Sequence, residues 1–162
     1  MNIKQMKAGQ YFALIVGVMY VLVGIMGFIP ALVQQPASSA AVSEYANDIG
    51  QVTSLGFGYL MGIFPINILH NIVHLTVGAL GILASISLGS SRLYSGALAI
   101  FYGLLTVLGL IPYTNTMFGL VPIFGNDVWL HAVTAAIAFY FGFIAMPDLN
   151  QMASDREMAT DR

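Results

Sequence analysis

Four stretches of this chain run apolar and uncharged over the roughly 20 residues that a helix needs to cross a bilayer. They cover about 11–33, 64–88, 93–111 and 128–146. Inside lipid each must be helical, because an unpaired backbone amide there costs several kcal/mol. Composition agrees: of 162 residues, 58% are hydrophobic and 7% charged, with a mean hydropathy of +0.83. A soluble domain carries about 25% charged residues. A cytosolic globular enzyme and a disordered tail are thereby excluded, and a net charge of −2 excludes a nucleic-acid partner, which would call for a basic excess. With no cysteine, disulfides and thiolate metal sites are excluded as well. These features define an all-α integral membrane protein. It is expected to form one four-helix transmembrane domain over 1–147, set in the lipid bilayer, with a polar cytoplasmic tail over 148–162.

The few charges set an orientation. Lys4 and Lys7 precede the first span, Arg92 sits in a short Gly89-Ser90-Ser91-Arg92 connection, and Arg156 and Arg162 follow the fourth span. All the basic residues thus fall on one side, while Glu44, Asp48 and Asp127 fall on the other. The positive-inside rule places both termini in the cytoplasm. The first apolar run exceeds the 7–15-residue core of a cleavable signal peptide and is read as a retained span.

The chain also repeats itself. Tyr20 stands ten residues before Pro30, and Tyr102 ten before Pro112. Ahead of the second span comes Gly62-Ile63-Phe64-Pro65-Ile66-Asn67, then Leu69-His70; ahead of the fourth comes Gly119-Leu120-Val121-Pro122-Ile123, then Asn126 and Leu130-His131. Two-helix units enter and leave on the same side, so two like hairpins would be related by an axis along the membrane normal. The first unit has the longer outer loop, about 34–53, and loops of that length are usually functional or flexible. Gly56, Gly58 and Gly62 ahead of Pro65 point to irregular backbone leading into the second span, tolerable at membrane depth only under protein cover.

At 100° per residue each span shows one small or polar stripe. In the second it is Asn67, His70, Asn71, His74, Gly78, Gly81 and Ser85; in the fourth, Asp127, His131, Ala135, Ala138, Gly142 and Ala145. The first carries Ala13, Gly17, Tyr20, Gly24, Gly27 and Ala31, and the third Ala99, Tyr102, Gly103, Thr106 and Tyr113. Small residues let membrane helices approach closely, which accounts for the glycines and alanines. Histidines inside spans are costly and mark candidate sites. Asp127, four residues before His131, is placed to hold that imidazole's far nitrogen, and Asn67 and Asn71 are placed to do the same in the second span. Three uses fit: haem b ligated by His131 with His70 or His74, a divalent metal held by His70, His74 and His131, or proton relay in a small transporter. The alternative is plain interhelical hydrogen bonding with no cofactor. Trp129, Tyr59 and Tyr113 read as interfacial anchors.

The run Gly62-x-x-Pro65-x-Asn67-x-x-His70-Asn71-x-x-His74 with Gly78, followed by Pro112, Asn115, Pro122 and Asn126-Asp127-x-x-Leu130-His131, resembles a bacterial family of small four-span proteins, the domain of unknown function 4383. The resemblance implies a four-helix membrane protein and carries no activity with it. The expectation is an accessory or assembly component of a bacterial inner or thylakoid membrane rather than an enzyme. It would pack against other membrane proteins or a second copy of itself.

Overall fold

The computed structural model describes residues 6–36 and 49–145. Glu44, Asp48, Arg156 and Arg162 lie outside the described residues, as do Lys4 and the 148–162 tail. Helix α1 (Ala8–Met26) leads through a short 3-10 turn (Pro30–Leu32) to strand β1 (Val33–Gln34). A short helix α2 (Ile49–Ser54) precedes strands β2 (Gly58–Leu60) and β3 (Phe64–Ile66), and β3 runs into α3 (Ile68–Ala84). Helix α4 (Leu88–Leu110) and helix α5 (Asn126–Phe139) complete the chain, and α5 ends in a wider π turn, Tyr140–Ile144. Three helical stretches, Ala8–Met26, Leu88–Leu110 and Asn126–Ile144, are long and apolar enough to cross a membrane, whereas α3 has 17 residues.

Local chemistry explains where the helices start and stop, and it shifts the spans read from hydropathy. The first run does not stay helical to residue 33. Proline has no amide hydrogen and forces the preceding residue out of the helical region, so Ile29 is extended (φ −94°, ψ 107°) and α1 ends at Met26. The second helix starts at Ile68 rather than 64, because Asn67 caps it by accepting from the His70 amide at 2.8 Å. Gly89-Ser90-Ser91-Arg92 is not a loop: Ser87 caps α4 by accepting from the Ser90 amide, and those residues form its first turn.

The small antiparallel sheet, in the order β1-β2-β3, is an element that hydropathy did not suggest. Its strands are two or three residues long, below the length at which alternation can be read. Pro65 sits in β3, an edge strand, where the missing amide costs no ladder bond. Met61 (φ 52°) and Gly62 (φ 74°) make the β2–β3 turn in left-handed backbone, a conformation that suits glycine. Tyr59 is half buried in β2 with its ring edge-on to Phe57, so it is part of this cap. Trp129 and Tyr113 are 72% and 77% exposed.

The long helices pack as two intimate pairs, α1 with α3 and α4 with α5. In the first pair glycines let the backbones touch: a Cβ on Gly17 would lie 2.6 Å from the Ile82 nitrogen, and one on Gly78 2.6 Å from the Val21 nitrogen. In the second, Gly142 meets the Gly96 backbone in the same way. An apolar core of Phe12, Leu98, Ala99, Leu105 and Ala138, joined by Tyr20 and Tyr102, links the pairs.

Candidate functional site

The first two turns of α3 and of α5 carry the histidines. In α3 a period of 3.6 residues puts Asn67, His70, Asn71 and His74 on the face that is buried. In α5 the same period buries Asp127 and His131. His70, His74, His131 and Asp127 are 2%, 3%, 1% and 1% exposed, which is uncommon for such residues unless they are paired or ligated.

Five rings close a circuit at this level. Centroid separations are 4.4 Å from His70 to His74, 5.3 Å from His74 to Tyr20, 5.4 Å from Tyr20 to Tyr102, 5.0 Å from Tyr102 to His131 and 6.5 Å from His131 back to His70. The Tyr20 hydroxyl lies 3.1 Å from the Thr134 hydroxyl. The tyrosines were visible in the sequence only as repeat markers, ten residues before a proline; their place beside the histidines follows from how α1 and α4 pack.

His70 is held from both ends. Its Nδ1 stands 3.2 Å from the Pro65 carbonyl. A carbonyl only accepts, so Nδ1 carries the hydrogen and Nε2 faces the other way. Nε2 lies 3.5 Å from Asp127 Oδ2, which is long for a hydrogen bond. Asp127 therefore does not hold His131, as its spacing suggested, but reaches across to α3. Side chains lean toward a helix N-terminus, and in the first turn of α5 that carries the carboxylate away from the next turn. Asn67 likewise serves the backbone rather than an imidazole: its oxygen caps α3 and its amide donates to the Leu120 carbonyl at 2.7 Å. Asn71 Oδ1 packs against Gly27 of the α1 end, where any Cβ would collide with it.

Six buried side-chain polar atoms here have no hydrogen-bond partner among the described residues. They are both oxygens of Asp127, both ring nitrogens of His74, Nδ1 of His131 and Oδ1 of Asn71. Each such buried atom costs about 1–3 kcal/mol if left unsatisfied. His70, Asp127 and His131 each offer one ligand atom, all within 4.8 Å of one another.

Apolar helices around a buried polar centre are the build of a helical membrane protein, and the described residues are mostly helical with three candidate membrane-spanning helices. The sequence profile of the family described as a domain of unknown function (DUF4383) matches residues 10–144, and the chain belongs to that family. No curated protein and no solved structure matches it.

Proposed function

We propose that this protein crosses the bilayer four times as two like hairpins, and that it binds one divalent transition-metal ion between His70, Asp127 and His131 near the outer end of the bundle. The observation that carries the metal reading is the His70–Asp127 geometry. His70 Nε2 and Asp127 Oδ2 face each other at 3.5 Å, too far for a good hydrogen bond, while the other imidazole nitrogen is tied to the Pro65 carbonyl. Two ligands about 2.0–2.1 Å from a tetrahedral zinc stand about 3.4 Å apart. Metal-bound histidines usually donate their other N–H to a carbonyl or carboxylate. An imidazole and carboxylate set suits zinc, copper or iron. Three protein ligands leave a fourth position open. A single ion suits the cluster better than haem, because His70 Nε2 faces the Asp127 carboxylate. A bound ion also supplies a partner for Asp127 and His131, whose polar atoms lack one among the described residues and which an accessory packing role leaves unaccounted for.

The topology rests on four supports. The outward residues of the long helices, among them Ile15, Leu22, Leu83, Ile100 and Leu110, are exposed and apolar, as lipid contact requires. Helix α3 alone reaches about 25 Å, and the extended β3 ahead of it adds about 10 Å, enough for a hydrocarbon core of about 30 Å. The two helix pairs have like lead-ins: Gly62 and Gly119 both take positive φ (74° and 87°), and Pro65 and Pro122 are both fully buried. Lys7 and Arg92 lie at one end, with Arg92 donating to the Gly142 carbonyl, and Asp127 at the other, a distribution that supports both termini inside by the charge rule. The bacterial inner membrane is the setting that suits this arrangement.

The metal reading is tested by stripping detergent-solubilised protein with a chelator and titrating it with Zn²⁺ or Co²⁺. One tightly held ion per chain is expected. Affinity should fall by at least about 100-fold in His70→Ala, Asp127→Asn and His131→Ala, with helix content by circular dichroism unchanged. Wild-type protein that retains no more ion than Asp127→Asn overturns it. Because the chain has no cysteine, single cysteines at Met61 and Ser90, labelled from one side of sealed vesicles, test the topology. Labelling of both from the same side would refute it.

A further inference from the structure

A cavity of about 290 Å³ opens beside the cluster, lined by Tyr59, Ile63, Pro65, Phe124, Gly125 and Asn126. It lies between the β2–β3 hairpin and the start of α5, and two of its walls are continuous with the site. Pro65 supplies the carbonyl that holds His70 Nδ1, and Asn126 precedes Asp127, whose carboxylate oxygens have no hydrogen-bond partner among the described residues. Pro65 and Asn126 thus join the cavity wall to residues of the site. From the metal reading, on which this step rests, we infer that the cavity is the vestibule through which a hydrated divalent cation reaches the site from the outer aqueous face.

Size and chemistry fit that cargo. An ion with six waters occupies on the order of 180 Å³ at about 30 Å³ per water, so it enters whole and sheds water as it meets the carboxylate. The Asp127 carboxylate sits in the first turn of α5, directly after Asn126 of the cavity wall. Elsewhere the lining differs. The hollow between α3 and α4 is walled by Val77, Leu80, Tyr94, Leu98 and Phe101, which suits an acyl chain and offers an ion nothing. The vestibule also has a tie across its mouth: the Asn126 side-chain amide donates to the Ile63 carbonyl at 3.2 Å, joining the hairpin to α5. Opening it need break no strand pairing, because Ile63 lies in the β2–β3 turn between Leu60 and Phe64.

The experiment follows Co²⁺ loading by its absorption in metal-stripped protein. Ile63→Cys places a unique thiol at the vestibule wall, and Ile86→Cys, in the connection after the far end of α3, is the control. Modifying Ile63→Cys with a bulky maleimide should slow Co²⁺ uptake about tenfold or more, a barrier of about 1.4 kcal/mol, while the final stoichiometry stays at one per chain. The same label on Ile86→Cys should leave the rate unchanged, and Asn126→Ala should load faster. Equal rates for labelled and unlabelled Ile63→Cys would overturn the vestibule while leaving the metal site standing, as would equal slowing by the Ile86→Cys label. If unmodified wild-type protein takes up no Co²⁺, the metal reading fails and the vestibule with it.

Discussion

The interior of the molecule has two ends, made by the same helices with the same residue spacing and yet unlike in chemistry. At the end that holds Lys7 and Arg92, the inner end in the proposed topology, polar side chains turn to the backbone. Ser91 and Ser95 donate to carbonyls within 3.0 Å, Tyr94 donates to the Val77 carbonyl, and Gln10 donates to that of Ser85. Gly17, Gly78 and Gly81 close the gap between helices until backbones touch. At the outer end, His74, His131 and Asp127 are as deeply buried, but their polar atoms are left open. Burial is common to both ends; what differs is whether each polar group has a partner. The end with unpaired groups is the one where the metal site is proposed.

That contrast can be broken at the inner end first. Gly78→Leu would drive a side chain into the Val21 backbone and should destabilise the protein by about 3 kcal/mol or more. The check is a large fall in the thermal midpoint in detergent; an unchanged midpoint would mean the helices do not meet there. At the outer end, chelating the metal should lower wild-type stability by about 2.7 kcal/mol relative to protein at 100 times the Kd. Asp127→Asn should show no such difference between treated and untreated samples, and an equal shift in both would detach the effect from the site. Asn67→Ala removes the α3 cap and the tie to Leu120. A loss of about 1 kcal/mol, with metal binding weakened only modestly, is expected from denaturation and titration run in parallel. The smallest effect should come from Tyr20→Phe, which deletes one hydroxyl contact with Thr134 and should cost about 0.6 kcal/mol. A loss of metal binding in that variant would show that the ring circuit does more than pack.

Much of this was legible residue by residue. The stripe of Asn67, His70, Asn71, His74, Gly78, Gly81 and Ser85 is buried throughout, because helical period alone decides which residues share a face. The ends of the helices were harder. Hydropathy averages over a window, whereas a cap is one side chain on one amide, as Ser87 on Ser90, and so the serine turn before Arg92 looked like a loop. The sheet was out of reach for a related reason: strands as short as Val33–Gln34 carry no alternation to detect. Ala145, on the inward stripe by period, is exposed because the π turn over Tyr140–Ile144 changes the angle per residue.

Asp127 marks the boundary between the two kinds of information. By itself the sequence determined the apolar helices, the face each one buries and the three histidines inside them, because these depend on composition and on a fixed angle per residue. Which groups meet was decided by the tertiary structure alone. Along one helix Asp127 and His131 are neighbours, but a side chain leans toward its helix N-terminus, and the carboxylate found His70 on a different helix. Pairing of helices sets distances between residues far apart in the chain, and no local period carries that information.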